Sequence, residues 1–324
     1  MTTIQQQLRS VFRRVDPTLL GFLGLLSLPA LISESFESLE VLELFFLFWL
    51  WPLVRALFSG QVRFTVSNLP LLINPFVQAQ SFAHIAGYVV AHVRYRGHPP
   101  APERYEQTTD LRLPFDGTWT VVNGGVTKAN SHSWFPISQR YAYDFCITDD
   151  DDGQTYDDSG TDHEDYYCYS EPILAPADGT VVTASDGHRD SPYFDGWLDP
   201  FQRDIRGNYV TIKHAENEYS LLAHLQEGSI TVSEGDRVER GQQIGRCGHS
   251  GNSTEPHLHF QLQDRPRFFA AGLPITFDEV TIEADDERSG KQSINKGQQI
   301  TPTSTLSMDN YSKRSLPSKQ QTSA

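Results

Sequence analysis

Positive charge is in short supply in this chain. Its 324 residues include 26 lysines and arginines against 41 aspartates and glutamates, a net charge of −15. A phosphate-binding surface needs a basic face, so nucleic acid is excluded as a partner. Only six of the basic residues are lysine, and this Arg-rich, acidic balance suits a salt-adapted or high-GC source. Cysteine is scarce too. Cys146, Cys168 and Cys247 form no C-x-x-C metal motif, and an odd count leaves at least one thiol unpaired. Cys146 and Cys168 could bridge around the acidic stretch between them, and the sequence leaves that open.

Long apolar runs are absent except near the N-terminus. Residues 18–32 are apolar for 15 positions, and residues 39–58 give 20, interrupted by Glu40, Glu43 and Arg55. About 20 apolar residues span a bilayer, so the second run is long enough and the first is short. The expected arrangement is a helical, membrane-embedded region over residues 1–60, which makes the membrane a partner; a buried soluble hairpin is the alternative. A cleaved signal peptide fits poorly, because the apolar region is too long and lacks a small-x-small exit. Arginines 9, 13 and 14 precede the first run, and Arg55 and Arg63 follow the second. Two spans would keep the remainder of the chain inside and one span would put it outside, so sidedness stays open.

The other divisions follow from composition. Residues 61–110 read as a helix over 76–93 and a linker ending in a Pro-rich stretch, with His84 and His92 packing on one helical face. Residues 111–280 carry short β-branched runs separated by Asp-Gly and Gly-Asp turns, the pattern of a mainly β domain. Within it lies an acidic insertion at 149–165, expected to be solvated and mobile, since its spacing misses that of a calcium loop. Residues 281–324, rich in Ser, Thr, Gln and Lys, read as a disordered tail.

The chemistry is concentrated in Ser253-Thr254-Glu255-Pro256-His257-Leu258-His259-Phe260-Gln261. Histidines at i and i+2 of a strand put both imidazoles on one face, so that one can bind a metal while the other moves protons. Alone, an H-x-H pair is as easily two satisfied strand histidines. Three further positions change the balance. Asp144 sits in the aromatic run Tyr141-Ala142-Tyr143-Asp144-Phe145, where a core-facing carboxylate is costly unless paired or metal-bound. His132 lies in a Gly/Ser/Asn-rich loop before it, and His224 interrupts the apolar run Leu221-Leu222-Ala223-His224-Leu225.

With these residues quoted, the chain resembles the lysostaphin-type (LytM-like) zinc metalloendopeptidases from about residue 123 to about residue 274. The resemblance includes Glu171-Pro-Ile-Leu-Ala-Pro-Ala-Asp-Gly-Thr-Val-Val182, Gly207-Asn-Tyr-Val-Thr-Ile-Lys-His214 and Gly235-Asp-Arg-Val-Glu-Arg-Gly-Gln-Gln-Ile-Gly245. It implies a duplicated hybrid motif β-sandwich, akin to lipoyl and biotin carriers, and one zinc ion held by His132, Asp144 and His259. It also implies His224 and His257 as the catalytic pair, and peptide cross-bridges of a cell-envelope polymer as substrate. The departure is the 12-residue spacing from His132 to Asp144, where many members have three residues between the two. Two other classes compete: a non-catalytic envelope-binding or regulatory module on the same fold, and a phosphohistidine carrier, which would need no Asp144.

Overall fold

The computed structural model describes residues 66–149, 152–267, 270–283 and 291–303, with scattered positions before 66. The apolar runs of the N-terminal region lie outside the described residues. Among those described, no helix is long and apolar enough to cross a membrane.

The chain divides into two compact units, 1–73 and 74–324. Of the first, the structure describes chiefly residues 66–73, which end in a 3-10 turn at Pro70–Ile73. The second opens with the one long described helix, α1 (Pro75–Arg94). Its start is written in Asn74-Pro75: the Asn74 side chain accepts from Phe76 N and Val77 N, and proline suits the first helical position. Its end is equally local. Gly97 takes φ +83° and its N–H donates to His92 O, after which Pro99 prevents continuation. α1 buries Ala91 against Ile137 and Ala271, and its C-terminal Arg94 and Tyr95 both bond the Asp264 carboxylate.

The rest is mainly β. Nine antiparallel strands form one sheet in the order β10-β11-β1-β2-β9-β6-β5-β4-β7. These are β1 (Trp119–Asn123), β2 (Tyr143–Cys146), β4 (Gly179–Ser185), β5 (Asn208–Ala215), β6 (Glu218–Leu225), β7 (Arg237–Val238), β9 (Leu258–Gln263), β10 (Val280–Ile282) and β11 (Gln299–Pro302). A two-stranded pair, β3 (Pro172–Leu174) with β8 (Gln243–Arg246), stands apart. The core takes alternate residues of the central strands: Trp119 and Val121, Tyr143 and Phe145, Val210 and Ile212, and Leu258, Phe260 and Leu262 are all buried. Phe115 stacks on Trp119 at 4.4 Å.

Three expectations from composition change here. The segment read as a disordered tail supplies β11, which pairs with both β1 and β10 and buries Ile300. One isoleucine between Gln299 and Thr301 is a four-residue strand whose pattern is drowned by polar neighbours. The helix assigned to a separate 61–110 region falls in the second compact unit, with the β-strands. The acidic insertion is folded in its described part, because its carboxylates bond its own turns. Asp149 accepts from Asp152 N and Gln154 N, Asp165 from Thr161 N and Asp162 N, and Tyr156 bridges Tyr166. The three cysteines are buried free thiols; Cys146 and Cys168 both direct Sγ at Pro256 O, at 3.6 and 3.2 Å.

Candidate metal centre

Strands β2, β9 and β6 lie side by side, and their register builds the site. Asp144 pairs with His259 across β2 and β9, and Ala223 pairs with the same His259 across β9 and β6. His224 is the next residue, and it leaves the regular pleat. Asn208 pairs with Leu225 and Val210 with Leu222, so Ala223 and His224 together face the single Tyr209. This bulge, with φ of 62° at His224, turns the imidazole out of the pleat. A left-handed residue other than glycine costs on the order of 1–3 kcal/mol. Hydrogen bonds hold it there: its N–H donates to Arg206 O at 3.0 Å, and its carbonyl accepts from Gly248 N at 3.0 Å. Asn208 braces the far side of the bulge, donating from Nδ2 to Leu225 O and His188 O.

The remaining residues converge on the same carboxylate. His259 Nδ1 lies 2.8 Å from Asp144 Oδ1, His132 Nδ1 lies 3.3 Å from Asp144 Oδ2, and His257 Nε2 lies 3.8 Å from Oδ1. The His224 ring centroid is 4.6 Å from that of His257 and 5.7 Å from that of His259. All five residues singled out in the sequence are therefore neighbours. His132 is the most exposed of the Asp144 partners, with 29% of its side chain accessible.

Electrostatics follow from burial and proximity. Burial would raise the Asp144 carboxyl, but the charge of His132 and the hydrogen bond and charge of His259 reverse this and hold it well below the usual range. His224 is pushed well down, by burial and then by His257 and His259. His132 is lowered by burial against the pull of Asp144. Burial would lower His259 too, but the hydrogen bond to Asp144 and its charge raise it.

Tautomers can be assigned where the partner is a carbonyl, which only accepts. His224 Nδ1 lies 2.8 Å from Ser250 O, and His257 Nδ1 lies 2.8 Å from Glu255 O. Both Nδ1 atoms therefore carry the proton, and both Nε2 atoms keep a lone pair. Such rings can accept a proton and then donate it.

One donor atom from each of His132, Asp144 and His259 lies within 4.8 Å of the others. Two imidazoles and one carboxylate form a three-donor set that suits zinc and leaves a fourth position for water or substrate. The buried, ionised Asp144 fits the same conclusion, since an uncompensated carboxylate there would be expensive.

Sequence reasoning missed the supports of these residues. Ser253 Oγ lies 3.2 Å from His257 Nδ1 and 2.8 Å from Nδ1 of the fully buried His249. Thr155 of the acidic insertion donates to Glu255 at 2.9 Å, tying that insertion to the edge of the site. Ser253 stood in the quoted motif, four residues before His257. Thr155 and Asn208 carried no local signal.

A mainly β domain with a two-histidine, one-carboxylate cluster and two lone-pair imidazoles beside it has the layout of a metal-dependent hydrolase. The chain carries a domain of peptidase family M23, whose model matches residues 160–269. His132 and Asp144 lie before the matched span. Among curated relatives, the peptidoglycan DD-endopeptidase ShyA of Vibrio cholerae is 36% identical over 96 residues, 30% of this chain and 18% of that protein. Peptidoglycan DD-endopeptidase ShyB of the same organism is 33% identical over 171 residues, 51% of this chain and 30% of its own length. The chain thus spans less than a third of either relative. Among solved structures, a zinc-containing peptidase from Vibrio cholerae matches 51% of this chain and 41% of its own at 24% identity, with a TM-score of 0.30, a likeness too distant to bear on the site.

Proposed function

We propose that this chain is a zinc-dependent endopeptidase of the duplicated hybrid motif fold that cleaves peptide cross-links of a cell-wall polymer. The carrying observation is the convergence of His132, His257 and His259 on the Asp144 carboxylate, with His224 beside His257. The substrate class rests on the curated relatives ShyA and ShyB, described as peptidoglycan DD-endopeptidases.

His132, Asp144 and His259 would hold the ion. When bound, zinc supplies positive charge that polarises a carbonyl and lowers the pKa of water. The chain's own residues do the rest. Nε2 of His257 or His224 takes the proton released as water attacks the scissile carbonyl. The ring that has taken the proton donates from Nε2 to the oxygen that gains negative charge, and then gives the proton to the leaving amine nitrogen. Backbone carbonyls at Ser250 and Glu255 keep both rings in the required tautomer.

The test is metal content with cleavage of purified peptidoglycan cross-link peptides. His257→Ala and His224→Ala should each lower kcat by about 10²–10⁴ while zinc stays bound. Asp144→Ala should lose zinc. Full activity of a protein carrying both His257→Ala and His259→Ala would end the reading. Anchoring through the apolar N-terminal segments completes the proposal. Protease accessibility on intact cells reports whether the domain reaches the wall.

A further inference from the structure

α1 is apolar on both sides, and only one side is covered. Val77, Gly87 and Ala91 are buried, with Ala91 against Ile137 and Ala271. On the other side, steps of three or four residues line up Phe76, Ala79, Phe82, Ala86, Val89 and Val93. All six are exposed, and the four large ones are each more than half in water. Ile85 and Val90 flank the stripe and are exposed as well. A helix that is apolar all round is normally enclosed by protein or by lipid. A contiguous patch of this kind marks an interaction surface.

Charge indicates what covers it. Between Glu43 and Glu103 the chain runs for 59 residues without one aspartate or glutamate. At the overall frequency of 41 in 324, about seven are expected there. The same stretch carries Arg55, Arg63, Arg94 and Arg96. A surface that omits carboxylates and keeps arginines suits the anionic headgroups of a bilayer. The net charge of −15 on the whole chain does not oppose this, because salt screens exposed charges more than about 10 Å away. The apolar run at 39–58 ends 16 residues before α1, so a bilayer that holds the run is within chain reach of the helix.

We propose that α1 is an in-plane membrane helix, whose outer face from Phe76 to Val93 lies in the headgroup–acyl boundary of an anionic bilayer. The inference rests on the anchoring proposed above and adds a second contact to it. Phe201 extends the surface. It is 76% exposed, and the Asn74 amide donates to the carbonyls on either side of it, Pro200 O and Gln202 O, which holds it at the N-terminal end of α1. Gln80 secures the same loop, donating to Arg203 O and accepting from Ile205 N. The next carbonyl, Arg206 O, accepts from His224 N. One short loop therefore joins the helix to the candidate site, and seating α1 on lipid holds that site beside the membrane surface.

The experiment uses the full chain in vesicles of phosphatidylglycerol and phosphatidylcholine. Phe82→Cys, Val89→Cys and, as a control on β5, Lys213→Cys each carry a nitroxide label. The three native thiols are buried, so the label goes to the introduced one. Circular dichroism confirms folding, and power-saturation EPR with oxygen and a nickel chelate reads depth. Labels at 82 and 89 should lie about 5–10 Å below the headgroups, and the label at 213 should lie in water. In phosphatidylcholine alone the two should shift outward; equal depths would overturn the anionic preference. Vesicle-bound protein whose labels at 82 and 89 are as wet as that at 213 overturns the inference and leaves the anchoring standing. Labels shielded from both oxygen and nickel also overturn it, because a protein surface then covers the helix; dipolar broadening would identify a second copy. Protein that fails to float with vesicles overturns the anchoring as well. Should Phe82→Cys fail to fold, Val89→Cys decides alone.

Discussion

Lowering the pH from 7 to 4.5 should destabilise this domain through a histidine away from the candidate metal ligands. His249 is fully buried, with Nε2 2.7 Å from Tyr193 O and Nδ1 2.8 Å from Ser253 Oγ. Burial pushes it down to about 3 from an ordinary value of 6.5. The unfolded chain therefore takes up the proton first. Stability is complete above pH 6.5, falls as pH drops below it, and stops falling from this cause once pH passes about 3. The slope is about 1.4 kcal/mol per pH unit for one group, so roughly 3 kcal/mol is lost by pH 4.5. His84, pushed to about 4 by burial and Arg206, adds in the same direction. Asp144 adds nothing in this window, because a depressed carboxyl loses its contribution only as pH falls through the ordinary carboxylate range and below. Against a total of about 5–15 kcal/mol for a domain, the histidine loss is large. The assay is urea unfolding of chelator-treated protein at half-unit pH steps, for wild type and His249→Gln. The variant should show the shallower slope, by about 1.4 kcal/mol per pH unit. Equal slopes between pH 6.5 and 4.5 would refute the reasoning.

Further outcomes follow from other contacts. A Cβ on Gly207, which has φ +63°, would lie 2.4 Å from the Ser250 carbonyl carbon. Gly207→Ala should therefore displace the acceptor of His224 Nδ1, cost about 2–4 kcal/mol and cut kcat at least tenfold; wild-type kcat in the folded variant would contradict this. Glu218 is 2% exposed and accepts from Tyr105 OH, Thr108 N, Thr109 N and Thr109 Oγ1. Glu218→Ala should lower the urea-derived stability by roughly 3 kcal/mol, mainly through stranded donors, with cleavage by the folded fraction unchanged; an unmoved midpoint would show that water replaces the carboxylate freely. Truncation after residue 283 removes β11 and the buried Ile294 and Ile300 and opens the edge of β1, so the product should aggregate. A stable monomer by light scattering would show that β11 is dispensable.

The helix was legible because its signals are local: Asn74-Pro75 opens it and Gly97 closes it within one turn. The H-x-H pair was legible for the same reason, since period 2 along a strand is read directly from the chain. Sheet order was not, because β6, β9 and β2 are brought together by pairings more than 30 residues apart in sequence. The His224 bulge was invisible. Nothing in Leu222-Ala223-His224-Leu225 says that two residues will face one, because that depends on where β5 meets β6. β11 was misread because composition averages over a window longer than the strand.

His132 tests a different kind of reasoning, because its spacing from Asp144 looked wrong for its place. The loop that carries it leaves β1 and returns in β2, and these strands are antiparallel neighbours with Asn123 opposite Asp144. Both ends of the loop are therefore fixed at the site before its length matters. Closing a longer loop costs only (3/2)RT ln n, so a fourfold increase in length costs about 1 kcal/mol. Added contacts can offset that. Gly124 N–H donates to Asn130 O, the Asn130 side chain donates to Asn295 Oδ1, and Lys296 N–H donates to Gly124 O. Gly124 has room for none of this with a side chain, since a Cβ would sit 2.3 Å from the Tyr143 ring. The long loop is thus buttressed by residues 295 and 296, from the segment whose composition suggested no structure at all. Sequence spacing between two candidate ligands is a weak guide wherever a strand pair already holds the ends together.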